Sequence, residues 1–139
     1  LLHFVDEDTR AFNQLMEAHR LPQNTDAAKK MRTEAIETAT QHATKVPFQV
    51  MEVALEAMEV IQNMAVLGNP NSVSDAGVGA MCARTAVLGA YLNVQINAAA
   101  LTDQVFRANI LREAEILALR VRRAEEQIVF TVEEIIARL

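Results

Sequence analysis

Tryptophan is absent, tyrosine occurs once, and aromatic residues make up only 4% of the 139-residue chain. The hydrophobic content is nevertheless 51%, so any core must be packed from Ala, Leu, Val, Ile and six Met. These side chains suit helix-on-helix packing. Glycine is scarce, at Gly68, Gly77, Gly79 and Gly89 only, and proline is confined to Pro22, Pro47 and Pro70. So few breakpoints exclude the many tight turns of an all-β fold. A single cysteine, Cys82, excludes an internal disulfide; set among small apolar neighbours, it reads as a buried reduced thiol in a reducing compartment, here the cytoplasm. Positive charge is also short. A net charge of -5 and a pI near 5.2 exclude the clustered cations that nucleic acid requires. The stretch from Ala76 to Leu101 carries one formal charge, Arg84, but Asn93, Gln95 and Asn97 make it a central helix of a bundle rather than a membrane span.

What remains is helical periodicity, enough for one domain over residues 1–139. Residues 1–20 place Leu1, Val5, Phe12, Met16 and His19 on one arc. No capping residue precedes Leu1, so the helix is expected to begin upstream, with an N-terminal helical region missing from the chain. After the turn Leu21–Thr25, Thr25 or Asn24 caps a second helix from Asp26, which is predicted to stop or kink before Pro47. Pro47 then opens a third helix ending at Gly68, the turn 69–72 leads to a fourth up to Ala99, and Thr102 caps a last one from Asp103 to Leu139. The fold expected is an all-α bundle of about five helices with a long C-terminal helix.

In that last helix Phe106, Leu117, Ile128 and Leu139 recur every eleven residues, as do Ile110, Val121 and Val132. The spacing holds one stripe along a nearly straight helix. Leu119, Val129, Phe130 and Ile136 lie off the stripe, which points to packing on two sides and a partner subunit. In the fourth helix Asp75, Gly79, Cys82, Ala86, Gly89 and Asn93 form a narrow stripe of small and polar residues that would let another helix approach closely.

Few constellations carry chemistry. His3, His19 and His42 lack the Glu-x-x-His spacing of di-iron bundles, so no metal is expected. Gly77-Val-Gly79 lacks the third glycine of a dinucleotide fingerprint. Asp6, Arg10, Asn13 and Glu17 read as a solvated stripe with an i,i+4 ion pair. Asp8 differs, because it points among Phe4, Phe12 and Leu15 and must there be paired, hydrogen-bonded or protonated, as a structural anchor or as a site residue. Asp75 sits at the mouth of the small-residue stripe and fits a capping box, Ser72-Val-Ser-Asp75, which by itself would explain an acid at this helix start. Asn93 shares its face but lies eighteen residues on, about 27 Å at 1.5 Å per residue, so the two can serve one site only across a subunit interface.

Four segments, in this order and at these spacings, resemble the cyclodeaminase/cyclohydrolase family. They are Val5-Asp-Glu-Asp-Thr-Arg-Ala-Phe-Asn13; Arg20-Leu-Pro-Gln-Asn-Thr25 with Lys29 and Arg32; Gly68-Asn-Pro-Asn-Ser-Val-Ser-Asp-Ala-Gly-Val-Gly-Ala80; and Gly89-Ala-Tyr-Leu-Asn-Val-Gln-Ile-Asn97. The resemblance covers essentially the whole chain. The family begins well upstream of Leu1 with a glycine-rich segment, so this chain alone is expected to lack folate activity.

The resemblance implies an all-helical homodimer acting on a tetrahydrofolate one-carbon derivative, with no metal or redox cofactor. In the deaminase reaction N10 of 5-formiminotetrahydrofolate attacks the formimino carbon and ammonia leaves. In the hydrolase reaction water attacks the methenyl carbon and the ring opens to 10-formyltetrahydrofolate. Both pass through a tetrahedral carbon between two nitrogens, so both need a group that moves protons at nitrogen. The resemblance implies Asp75 in that role, Lys29 and Arg32 as cations for the glutamate tail, and Asp6, Asp8, Asn71, Ser74 and Asn93 as further substrate contacts. The competing reading is a non-catalytic helical module that serves dimerisation.

Overall fold

The computed structural model describes all residues, 1–139, as four α-helices and one 3₁₀ turn without a strand. Helix α1 spans Leu2–Arg20, α2 Asp26–Leu67, α3 Val73–Ala98 and α4 Gln104–Ile136. The all-α expectation holds, with four helices in place of about five.

The difference lies at Pro47. The two helices expected on either side of it are one 42-residue helix, α2, with Pro47 buried inside. A proline has no N–H to give to the carbonyl four residues back, here that of Ala43, and an interior proline ordinarily breaks the helix for that reason. Asn97 supplies the missing donor from α3: its side-chain Nδ2 donates to the Ala43 carbonyl at 2.8 Å. Helix α2 therefore runs through its proline because a neighbouring helix replaces the lost bond.

Thr25 caps α2 as expected, its hydroxyl accepting from the Ala28 N–H at 3.1 Å. Gly68 ends it in extended backbone, and a Cβ there would collide with the Met64 carbonyl, so the close approach alone demands glycine. Two caps differ from expectation. Helix α3 is entered through the 3₁₀ turn Pro70–Ser72, whose geometry leaves Ser72 out of the extended conformation an N-cap side chain needs. Ser72 makes no side-chain cap bond, and the capping box with Asp75 does not form. The Asn69 side chain caps the turn instead, accepting from the Asn71 N–H at 3.1 Å. At α4 the cap is Asp103, not Thr102; its carboxylate accepts from the Val105 and Phe106 N–H groups, both at 3.0 Å.

Thr102 is held from outside its own helix. Glu37 on α2 accepts from the Thr102 N–H at 2.9 Å, the Thr102 hydroxyl at 2.7 Å and the Asp103 N–H at 3.1 Å. Two carboxylates thus meet the positive end of α4. Burial alone would raise the pKa of Glu37, but the bonds from Thr102, Asp103 and Gln41 outweigh it and hold the carboxyl below the ordinary glutamate value.

Helices α2 and α3 run antiparallel, with the end of α3 at Ala43 and its start near Ile61 and Met64. Helix α4 returns along both. The core joins Met51, Leu55 and Met58 of α2, Val87 and Val94 of α3, and Ile110, Val121, Ile128 and Val132 of α4. Of the expected α4 stripe, Ile110, Val121, Ile128 and Val132 are buried, Phe106 and Leu117 are half-buried against the core, and Leu139 lies beyond the helix and is exposed. Cys82 is exposed rather than buried, because the stripe it belongs to faces outward and Gly89 meets nothing there.

Helix α1 rests on the first half of α2 by small contacts. Only Ala11 and Ala18 are fully buried. Polar bonds set its register: His42 of α2 meets Glu7 through Nε2 at 3.3 Å and Gln14 through Nδ1 at 2.9 Å. The Arg10 guanidinium pairs with Glu7 at 3.3 Å, while its Nε donates to the Asp6 main-chain carbonyl, so the i,i+4 pair with the Asp6 carboxylate does not form.

Replacing Glu37 with Gln is expected to lower unfolding free energy by about 1–2 kcal/mol at neutral pH, as loss of a charged cap does. A depressed native pKa stabilises above the ordinary glutamate range and is lost as pH falls through the native value. Urea unfolding should therefore show the gap between the two proteins closing in acid; a gap independent of pH would deny the carboxylate its role.

Candidate functional site

The polar residues that matter most lie where α1 and α3 cross the face of α2. Asp8, Phe12 and Leu15 from α1, Ala43 from α2, and Asn93 and Asn97 from α3 line one cavity of about 220 Å³. Asp8 is expected among Phe4, Phe12 and Leu15 with a partner; it lines the cavity beside Phe12 and Leu15, but its carboxylate is exposed and makes no hydrogen bond or ion pair, because water reaches it at the cavity's mouth. The spacing of four between Asn93 and Asn97 puts both amides on one face of α3, one turn apart. Asn97 is oriented by its bond to Ala43: with Nδ2 committed to that carbonyl, the amide oxygen and the second N–H remain for a ligand. The cavity therefore offers a carboxylate, two amides and an aromatic edge. Such a set recognises a flat heterocycle carrying both donors and acceptors. Its size is that of one ring system, below the ~300–1,000 Å³ of sites for larger ligands.

Asp75 stands elsewhere. It lines a second cavity of about 250 Å³ at the start of α3, with Ile61, Met64, Gly68, Asn69, Ser72 and Gly79 among its neighbours. Its carboxylate is exposed, makes no ion pair, and has no other charged group in that cavity. Asn71 and Ser74 are exposed nearby without lining it. The two acids sit toward opposite ends of α3, as the spacing of Asp75 from Asn93 requires.

The two basic residues are at the turn between α1 and α2. Arg32 donates from Nε and a terminal nitrogen to the His19 carbonyl at 3.3 and 3.1 Å, closing the end of α1, and Lys29 pairs with Asp26 at 3.1 Å on an exposed face. Asp6 is exposed and outside the cavity, two positions before Asp8 on α1. No three His, Cys, Asp or Glu side chains gather as a metal-ligand set.

A protein-family model described as formiminotransferase-cyclodeaminase matches residues 1–116. The chain belongs to this family. It is 36% identical, over 95% of its length, to a methenyltetrahydrofolate cyclohydrolase from Methylorubrum extorquens, and spans 64% of that relative. It is 35% identical, over 87% of its length, to the formimidoyltransferase-cyclodeaminase of Mus musculus, of which it spans 24%. A solved structure of formiminotetrahydrofolate cyclodeaminase from Thermotoga maritima superposes with a TM-score of 0.81, covering 96% of this chain and 63% of that one, at 23% identity. That likeness shows the shared fold.

Within this member of the formiminotransferase-cyclodeaminase family, the matched region takes in all of α1, α2 and α3 and hence every residue of the Asp8 cavity. Of its six lining residues, Asp8 and Asn93 are the two expected from the sequence as site residues; Phe12, Leu15, Ala43 and Asn97 are not. Asn97 is legible as part of the Asn-Val-Gln-Ile-Asn run, and its pairing with Asn93 at i,i+4 is the available signal. Ala43 contributes a main-chain carbonyl, which no side-chain pattern announces.

Asn97→Leu should leave the Ala43 carbonyl without a donor beneath buried Pro47 and lower stability by about 1–3 kcal/mol in chemical denaturation. An unchanged midpoint and slope would show that the carbonyl is satisfied some other way.

Proposed function

We propose that the chain carries the folate one-carbon site of its family, a cyclodeaminase or cyclohydrolase acting on a tetrahydrofolate derivative, and that the reacting centre lies in the cavity of Asp8, Asn93 and Asn97. The observation that carries this is their convergence: segments far apart in sequence bring one carboxylate and two amides to a cavity of heterocycle size. Membership of the family and the names of its relatives supply the substrate class.

The chemistry follows from those groups. Both conversions keep the one-carbon unit at the same oxidation level, so neither calls for a redox carrier. In each, a nucleophile adds to a carbon held between nitrogens, and a proton must then reach the departing nitrogen. The Asp8 carboxylate takes a proton from the attacking nitrogen or water and returns it to the nitrogen that leaves. In the ground state it balances the cationic amidinium. Asn93 and Asn97 hold the ring by its donors and acceptors, which shortens the search for the reactive pose. Asp75, with a cavity of its own at the start of α3, is the second candidate acid.

We propose further that the chain works as a homodimer. Of the off-stripe residues of α4, Leu119, Phe130 and Ile136 are open to solvent, with Phe130 62% exposed, while Val129 is half-buried, and the outer face of α3 leaves Met81, Leu92 and Ile96 uncovered. Apolar surface of this extent on a small chain is the mark of an interface. Lys29, beside Asp26, remains available for the anionic tail, whereas Arg32 is occupied at the end of α1.

Two measurements test these readings. In the intact protein Asp8→Asn should slow conversion of the methenyl compound, followed by its absorbance, by about 10²- to 10⁴-fold with folding intact, while Asp75→Asn leaves turnover near wild type. The reverse pattern moves the reaction to the start of α3, full activity of both variants rejects an acid in either place, and no conversion by the unsubstituted protein favours a purely structural module. Light scattering at micromolar concentration should return the mass of a dimer or larger assembly; a clean monomer sinks the association.

A further inference from the structure

We infer that Pro47 is a positioning residue for the proposed site, acting through the Ala43 carbonyl on Asn97. The inference rests on the reading of the Asp8 cavity given above. Pro47 is not part of the cavity's lining and is buried inside α2. Its effect is on a hydrogen bond that it cannot make. An ordinary residue at this position would donate its N–H to the Ala43 carbonyl and hold that carbonyl along the helix axis. Proline has no N–H, and its ring crowds the same carbonyl, turning it away from the axis.

The carbonyl so released accepts from Asn97 Nδ2 at 2.8 Å, and Ala43 itself lines the cavity. That one bond decides which way the Asn97 amide faces. An amide has two nearly isosteric ends, and nothing in the shape of a pocket separates them. Committing the nitrogen end to a main-chain acceptor leaves the oxygen end facing away from α2 as an acceptor for the ligand. The proline thus writes the polarity of a site residue from outside the site.

The role separates from mere stability because a helix interior prefers almost any residue to proline. In Pro47→Ala the newly introduced main-chain N–H competes for the Ala43 carbonyl and loosens Asn97, although the helix itself becomes more regular. In the intact protein, turnover at limiting substrate should fall about tenfold for Pro47→Ala, the scale of a displaced positioning group. In an Asn97→Ala background the same change should have no further effect, since there is no amide left to orient. Hydrogen exchange gives a readout independent of activity: the main-chain amide that the substitution introduces should be strongly protected. Pro47→Val, which keeps more of the ring's volume, carries the same test if the alanine variant does not fold. Turnover within twofold of wild type, or an equal loss in both backgrounds, overturns the role of Pro47. Full activity of Asn97→Ala on its own, with Asp8→Asn also active, overturns the site reading beneath it.

Discussion

One missing hydrogen bond organises this fold. Pro47 leaves the Ala43 carbonyl without its partner in the middle of a 42-residue helix, and a buried carbonyl without a donor is worth about 1–3 kcal/mol of instability. The chain resolves this by bringing in Asn97, from the last full turn of α3. That choice fixes where α3 must end against α2. It also brings Asn93, one turn earlier, to the same level, facing α1 across the Asp8 cavity. A repair made for the sake of a backbone thus becomes one wall of a polar site.

The joint that follows is held just as firmly. Between Asn97 and the start of α4 the chain has only a few residues in which to reverse direction, and Glu37 receives three hydrogen bonds from two of them. Glu37 and Ala43 lie six residues apart on α2, so a single stretch of that helix receives both the end of α3 and the beginning of α4. Along the rest of α4 the contact with α3 is mainly apolar, Val87 and Val94 sharing a core with Ile110, Val121 and Ile128, with Arg84 paired to Glu125 at 3.8 Å and Gly77 close against Val132, where an added Cβ would meet a methyl at 3.4 Å. Polar bonds set the register at one end of the bundle, and close apolar packing maintains it toward the other.

Much of this is legible in the amino-acid order. Helical class, the start of α2 at its Thr25 cap and the stripe of Ile110, Val121, Ile128 and Val132 on α4 follow from local periodicity and capping chemistry, which depend on residues a few positions apart. The features that are not legible depend on partners far away. Whether Pro47 breaks a helix is decided by Asn97, fifty residues on; whether Thr102 or Asp103 caps α4 is decided by Glu37, which takes Thr102 for itself. The Ser72 capping box is a case where the pattern of residue types is present and the entry angle of the chain denies it its geometry. Cys82 shows the same limit in another form: Ala80 and Ala83 beside it in sequence turn toward the bundle, while Cys82 falls on the outward arc of α3 and is exposed.

That uncovered face bears on how the site works. Phe12 lines the Asp8 cavity and is 59% exposed, and Leu92 and Ile96 stand beside Asn93 on the outer side of α3, 65% and 70% exposed. The cavity is therefore rimmed by apolar side chains that gain from being covered. Covering them would remove water from around the Asp8 carboxylate and the two amides, and charge interactions strengthen as the local dielectric falls. The floor of the cavity needs no such help, because Ala43, Pro47 and Asn97 already hold it rigid. If the proposed site has a floor fixed by the fold and a rim completed by the proposed association, it would gain its full electrostatic strength only in the assembled protein, and the coupling between the two proposals would run through solvent exclusion and not through any change in the bundle itself.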